Sequence, residues 1–446
     1  MSAPDRTHDP ALRSWVASAN RPDHDFPIQN LPFGAFRAAS DAAPRCAVAI
    51  GDQLLDVSRI ADLFTAEASA VAAALAAPGL NRAMALGHGA HAAFRAQLSA
   101  LLQEDERARR PAVEAALRPL QSAQLVLPFE VRGYTDFFAS IHHASNAGRL
   151  FRPDQPLLPN YRYVPVAYNG RANSVRTSGE PVVRPHGQLK PAEAGAAPRF
   201  APSQRMDYEV ELGIVVGRPT AAGEPLRPGD AWDHVFGFCL LNDWSARDIQ
   251  AWEYQPLGPF LGKSFATSIS PWIVTAQALL PFRTAAAARA PQDPEPLPHL
   301  RDPRDHARGA VAVQLEAAIR TAHMRQRGLP AHRLSRSNAA DLYWTVAQML
   351  AHHTSNGCAL DTGDLVGSGT VSGAGDGALG SLLELSRGGA AAIDLPGGEQ
   401  RRFLEDGDEV RLTGFCEAPG HRRIGFGECA AVLAPARPYG PADSGE

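Results

Sequence analysis

The sequence predicts a mainly β fold with minor helices, of the α+β class, in which a small N-terminal unit precedes a large one. Three observations carry this. Beyond residue 130, short β-type runs alternate with Gly/Pro turns. Residues 60–105 are instead Ala/Leu-rich with helical spacing. Between the two, residues 106–128 combine charges with Pro111, Pro119 and Pro128, the composition of a boundary. At 446 residues the chain exceeds one ordinary small domain. The division expected is 1–125 and 126–446.

Residues 44–58 read as a hairpin, with runs 45–50 and 53–58 joined by Gly51-Asp52. The 60–105 stretch is broken by a Gly and a Pro-Gly, so it holds several short helices. Strands are expected at 208–216, 235–241, 310–317 and 409–414. One helix interrupts them at 339–353. Ser337 or Asn338 caps its start, Gly357 lies past its end, and Leu342, Val346, Met349 and Leu350 share a face. Residues 284–309, rich in Ala, Pro and charge, read as a long surface loop. Neither that stretch nor the tail 436–446 receives a role.

Hydrophobic residues at 45% and charged residues at 20% are ordinary for a globular chain. The net charge of -4 gives no basic face for nucleic acid. No stretch approaches the roughly 18 apolar residues of a membrane span. The start, MSAPDRTHDP, lacks an apolar targeting core, so the cytoplasm is expected. The five cysteines (Cys46, Cys239, Cys358, Cys416, Cys429) are scattered and never form a CxxC pair. They read as buried free thiols in a reducing compartment, not as a disulfide framework or a zinc site.

Residues two apart share a face of a strand, so Glu209 and Glu211 point the same way and Asp207 joins them. Like charges on one face cost free energy unless a cation or solvent relieves them. A solvated polar face is the alternative reading of these residues alone. Asp243 follows the apolar run 235–241, and Asp136 sits among aromatic residues that suggest partial burial. Four carboxylates without thiolates suit a hard divalent ion, calcium or magnesium.

His142 and His143 follow Asp136, and a histidine suits general-base work near neutral pH. A surface or core-satisfied ring is the alternative. His352-His353 is a rival pair, read as capping a helix C-terminus. Arg247, Gln250, Tyr254 and Lys263 crowd one stretch, DWSARDIQAWEYQPLGPFLGKS. Arg and Lys hold carboxylates or a developing oxyanion, and the aromatics and prolines suggest a partly dry pocket. Solvated loop charges are the alternative. Residues 258–264 resemble a phosphate loop but fail its spacing, with Leu257 at the first required glycine, so no nucleotide site is expected. The glycine-rich run 367–373 reads as a tight turn with close approach to a ligand. Glu384 stands alone among apolar neighbours and needs a partner, either a histidine that it orients or a structural cation.

The runs YTDFFASIHHASN, VAYNGRANSV, YEVELG, NDWSARDIQAWEYQPLGPFLGKSF, HHTSNGC, GSGTVSG and FLEDGDEV together resemble the fumarylacetoacetase family, in its long two-domain form. The resemblance implies a small SH3-like N-terminal barrel with helical segments, a large C-terminal β-sandwich or β-roll domain, and a homodimer. It implies hydrolysis of 4-fumarylacetoacetate to fumarate and acetoacetate, the last step of tyrosine and phenylalanine breakdown. It places metal ligands at Asp136, Glu209, Glu211 and Asp243, principally for Ca2+, and a second Mg2+ position near Asp243, Lys263 and Thr267. His143, not His142, matches the catalytic base, Glu384 its orienting partner, and Arg247, Gln250 and Lys263 the groups around the developing charge. Phe138, Arg152, Tyr168, Gln250, Tyr254 and Thr370 match substrate-binding positions.

Two departures stand out. Phe138 replaces a substrate-contacting tyrosine, so one hydroxyl is missing, and Ala266 replaces a glycine beside the second metal position. Two further readings remain at this stage: a related enzyme acting on another diketo or dienoic acid, and a non-catalytic metal-binding scaffold.

Overall fold

The computed structural model describes residues 3–439, apart from 39–42, 192 and 194. The end of the tail, 440–446, lies outside the described residues. The N-terminal hairpin forms as expected, Arg45–Ile50 against Gln53–Leu55, and the second strand stops early where a 3-10 helix, Val57–Leu63, begins. Its turn needs glycine: Gly51 has φ +53, and a Cβ there would fall 2.3 Å from Ser18 Oγ. Several short helices follow, including Glu67–Ala74 and Gly87–Leu102. The boundary segment turns back onto the sheet, with Leu117–Pro119 beside Gln53–Leu55 and Gln124–Val126 beside Phe33–Arg37.

Among the described residues these strands do not close into an SH3-like barrel. They form one open sheet that continues into the larger unit, because Phe33 and Gly34 pair with Ile273 and Trp272. Gly34 makes this junction possible: a Cβ there would sit 2.6 Å from the Trp272 ring. The apolar core beneath this sheet is correspondingly mixed, joining Val48, Phe94 and Leu98 to Val215, Phe236 and Ile273.

At the centre, Val210–Val216 lies between Val235–Asp243 and Leu365–Gly367, both antiparallel to it. Leu365–Gly367 runs parallel to Tyr134–Phe137, and Val235–Asp243 also pairs with Thr267–Ile269. Every residue of Val210–Val216 and Val235–Asp243 is buried. A five-stranded sheet covers this centre, built from His332–Asn338, Gln314–Arg320, Glu409–Cys416, Ile424–Ala434 and Val182–Val183. In Glu409–Cys416 every second residue is buried, so one face meets the core through Val410 and Leu412. The result is a mixed, strand-rich, sandwich-like packing with minor helices.

Two sequence expectations need correction. The helix at 339–353 divides into a 3-10 turn, Ala339–Asp341, and a helix, Val346–Thr354. Asn338 caps the first; a Thr345–Gln348 capping box starts the second. The break has a tertiary cause: the Tyr343 and Trp344 N–H groups donate to the Ala139 carbonyl, at 2.9 and 3.4 Å. Residues 284–309 are more ordered than a loop, holding a 3-10 turn, Pro298–Leu300, and a helix, Pro303–Arg308, capped by Asp302. Among the described residues no helix is long and apolar enough to cross a membrane.

Candidate active site and metal centre

Three strands of one sheet bring their acids to one point, with Leu365–Gly367 between the strand of Asp136 and the strand of Glu211. Asp136 pairs in register with Gly367, Glu211 with Leu241, and Asp243 with Thr267. Carboxylate oxygens of Asp136, Glu211 and Asp243 lie within 4.8 Å of one another, and all three residues are buried. Gly367 leaves the space they use: a Cβ there would fall 2.3 Å from Asp136 Oδ1 and 3.0 Å from Glu211 Oε2. The glycine-rich run therefore approaches these carboxylates closely, and at Gly369 (φ +74) the backbone of Phe137 as well. The solvated-face alternative is overturned, since Asp207, Glu209 and Glu211 are 0%, 5% and 0% exposed.

The trio Asp136, Glu211 and Asp243 fits a cation. Asp136 Oδ1 and Glu211 Oε1 are buried with no hydrogen-bond partner. Burial pushes the carboxyls of Asp136 and Glu211 well above the usual carboxylate range, and the neighbouring acids add to it, Asp243 for the first and Asp136 for the second. A hard divalent ion supplies what these all-oxygen donors lack.

Glu209 sits among the cations of the site. Its oxygens meet Lys263 and, at 2.8 Å, Arg247 Nη2, and it is not among the three acids whose ligand atoms cluster. Burial alone would raise its carboxyl; Lys263, then Arg247, outweigh that and hold it low. Lys263 Nζ also reaches Asp243 Oδ2 at 2.6 Å, so this lysine is the internal counter-ion of the site. The motif 258–264 is thus committed to carboxylates, not phosphate. Asp207 leaves the predicted row. It binds Arg247 Nε at 2.8 Å and the N–H groups of Leu382 and Leu383 at 2.7 and 2.9 Å. It anchors the arginine and the turn that carries Glu384.

His143 lies on the helix Ile141–Phe151, whose cap, Ser140, accepts the His143 N–H at 3.2 Å. The ring is 2% exposed, whereas His142 is half-buried. His143 Nδ1 is 2.7 Å from Glu384 Oε2. Glu384 also accepts from Asn146, Ser372 and Ser381, each at 2.9 Å. Burial would raise its carboxyl, but the charge and hydrogen bond of His143 and the further donors lower it to about 2. An ionised carboxylate only accepts, so Nδ1 carries the ring proton and Nε2 is left basic. Nε2 lies 3.7 Å from Glu209 Oε1.

The remaining predicted residues differ in their partners. Arg247 Nη1 donates to Gln250 Oε1 at 3.1 Å, on the helix Arg247–Glu253 that ends at Tyr254. Tyr168 donates its hydroxyl to Asp243 Oδ2 at 2.8 Å, and Thr267 Oγ1 lies 3.5 Å from Asp243 Oδ1. Thr370 Oγ1 and Arg152 Nε are buried without partners, as atoms awaiting a ligand would be. Phe138 stands edge-on to His143, 5.2 Å between ring centres at 83°. Ala266 is buried beside Thr267. The rival His353 is drawn elsewhere, its Nε2 2.9 Å from Thr135 Oγ1. Sequence reasoning missed Asn146, Ser372 and Ser381. Only Ser381 had a signal, the Ser-x-x-Glu cap pattern ending at Glu384.

Comparison with known proteins follows the same lines. The family model for the fumarylacetoacetate hydrolase C-terminal region matches residues 133–434, and the fumarylacetoacetase N-terminal model matches 29–128. The chain is 45% identical over 419 residues to the fumarylacetoacetase of Rattus norvegicus and 44% identical over 419 to that of Homo sapiens. Each alignment spans 93% of this chain and 97% of the relative. The fumarylacetoacetase of Arabidopsis thaliana is 43% identical over 434 residues, 96% of this chain and 99% of the relative. A fumarylacetoacetate hydrolase structure from Exiguobacterium antarcticum has a TM-score of 0.50 at 17% identity, covering 91% of this chain and 100% of that one. That likeness concerns the fold alone.

Proposed function

The chain belongs to the fumarylacetoacetate hydrolase family, and from that premise we infer that it cleaves the carbon–carbon bond of 4-fumarylacetoacetate with water. The products are fumarate and acetoacetate, as at the end of tyrosine and phenylalanine breakdown. The observation that carries the chemistry is the buried His143–Glu384 pair at 2.7 Å, with the other ring nitrogen 3.7 Å from Glu209.

Water is a poor nucleophile towards a ketone at neutral pH. His143 Nε2 takes a proton from it while Glu384 holds Nδ1–H, the logic of a base fixed by a carboxylate. The water oxygen bonds to the ketone carbon, and Arg247, Gln250 and Lys263 meet the oxyanion. Losing one such donor costs roughly 10²–10³ in rate. The carbon–carbon bond then breaks and its electron pair passes into an enolate, which only a 1,3-diketone offers. The proton held on His143 returns to that carbon. Phe138, Arg152, Tyr168, Gln250, Tyr254 and Thr370 orient the substrate, and the unpartnered atoms of Arg152 and Thr370 support that assignment.

Asp136, Glu211 and Asp243, with Glu209 beside them, are the residues to hold a divalent ion, Ca2+ in this reading. Mg2+ has a second position by Asp243, Lys263 and Thr267. When bound, such an ion supplies Lewis-acid polarisation of the diketone. The division into 1–125 and 126–446 belongs to the same reading; two separate matched stretches, 29–128 and 133–434, support two units, with their junction a few residues further along. So do a homodimer, supported by exposed Leu257, Phe260 and Leu261, and a cytoplasmic location, supported by four buried free thiols.

The test is loss of the near-ultraviolet absorbance of enzymatically prepared fumarylacetoacetate, with chelator and then with calcium or magnesium restored. Metal-dependent loss with fumarate and acetoacetate as products is the expected result. Folded, metal-replete protein without activity would redirect the reading to another diketo or dienoic acid, with the missing hydroxyl at Phe138 as the reason.

A further inference from the structure

We propose that Arg289, in the stretch 284–309, is a positioning residue for His143, acting through Tyr343, Tyr161 and Phe138. The inference goes beyond the hydrolase reading, which gives residues 284–309 no part, and it rests on that reading only for the role of His143.

The His143 helix starts from a turn whose two leading carbonyls are held from behind. The Phe138 carbonyl accepts the Tyr161 hydroxyl at 2.8 Å. The Ala139 carbonyl accepts the N–H groups of Tyr343 and Trp344, which is why the predicted helix at 339–353 breaks there. The side chains follow the same route. The Phe138 ring stands edge-on to His143 and also to Tyr161, the latter at 6.1 Å and 86°. Tyr161 in turn packs 5.9 Å from Tyr343.

Arg289 closes this route at its outer end. Its guanidinium carbon lies 4.1 Å from the Tyr343 ring centre and 4.5 Å from that of Trp344. Its Nη1 donates to the Tyr343 hydroxyl at 2.6 Å and to the Pro294 and Arg162 carbonyls at 3.0 and 3.1 Å. A second tie joins Arg162 Nε to Asp293 Oδ1 at 2.6 Å. The stretch 284–309 is therefore fastened to both backbone segments that hold the turn before His143. Phe138 has no hydroxyl of its own to fix its ring, so packing along this route sets where its edge meets the imidazole. Small displacements matter there, since about 1 Å of misplacement can cost roughly 10²-fold in rate.

The experiment compares Arg289→Ala in two backgrounds. In the otherwise native enzyme kcat should fall about tenfold or more, with KM changed less than about twofold, in protein shown by circular dichroism to be folded at the assay temperature. In a Phe138→Ala background the same change should cost several-fold less, because the ring-to-ring part of the route is already cut and only the ties to the Phe138 and Ala139 carbonyls remain. Equal losses in both backgrounds, or an unchanged kcat, overturn the proposal. Arg289→Lys keeps the charge but loses the planar stack and fork, so it should show the same effect at smaller size if Arg289→Ala does not fold. A second readout needs no turnover. The His143 ring signal in histidine-labelled NMR, assigned by its loss in His143→Ala, should move in the Arg289 variant, and an unmoved signal overturns the proposal. Wild-type protein that fails to hydrolyse the substrate would count against the hydrolase reading alone, and the NMR comparison would still decide the positioning role.

Discussion

Glu384 and Glu211 are both buried glutamates within one site, at 5% and 0% exposure, and the fold treats them in opposite ways. Glu384 has donors on both oxygens, from His143, Asn146, Ser372 and Ser381, and its carboxyl is lowered to about 2. Glu211 lies among other acids with one oxygen unpartnered, and its carboxyl is raised. Burial raises both, so the difference comes from the partners. A fully satisfied carboxylate is suited to holding a ring in place. An unsatisfied one beside two like charges is suited to receiving a cation.

The largest effect that would sharpen this contrast is catalytic. His143→Ala should lower kcat by roughly 10²–10⁴ while divalent-ion binding, followed by calorimetry, stays near normal. Near-normal turnover would mean that the satisfied glutamate orients a ring with no role as base.

Next come stability changes of opposite sign. Glu384→Gln should destabilise the protein by about 2 kcal/mol, because it unbalances a satisfied buried network. Asp136→Asn should instead raise the melting temperature of metal-free protein, by removing one charge from a repelling trio. The same variant should lose metal affinity by more than the roughly 10–100-fold cost of an outer partner. If both substitutions lower metal-free stability alike, the contrast fails.

The Glu384 effect has a defined pH window. Its folded value lies below the ordinary 4.5, so its stabilisation is present above pH 4.5 and is lost as pH falls towards about 2. Denaturant melts of wild type and Glu384→Gln should converge over that range. The smallest effect lies outside the site, at Asp305, whose carboxyl burial raises to about 6 despite the Thr345 hydroxyl bond at 2.6 Å. Here the folded state holds the proton more tightly, so wild-type stability should fall as pH rises from 3.8 to about 6. Asp305→Asn should remove that slope, gaining on wild type by roughly 2 kcal/mol at pH 7 relative to pH 4.

Much of the fold and site was legible along the chain. β-type runs between Gly/Pro turns located the strands Val210–Val216 and Glu409–Cys416, expected at 208–216 and 409–414, and turn chemistry located the hairpin at Gly51. Residue types alone pointed to a hard cation, to the His142-His143 pair as candidate bases and to Glu384 as an acid in need of a partner, and the family resemblance singled out His143. The sequence by itself determined these because periodicity, capping and donor chemistry are local properties.

Tertiary structure decided which partners meet. Glu384 and His143 are 241 residues apart, and Lys263 and Glu209 are 54 apart. No local pattern records that Lys263 and Arg247 reach Glu209, that Asp207 anchors Arg247, or that the Ala139 carbonyl interrupts the helix at 339–353. The open N-terminal sheet has the same origin, since Gly34 admits the Trp272 ring from another part of the chain. Charge pairing and backbone hydrogen bonds act over a few ångströms of space irrespective of sequence distance, so only the folded arrangement separates the acid that holds the ring from the acids that await a cation.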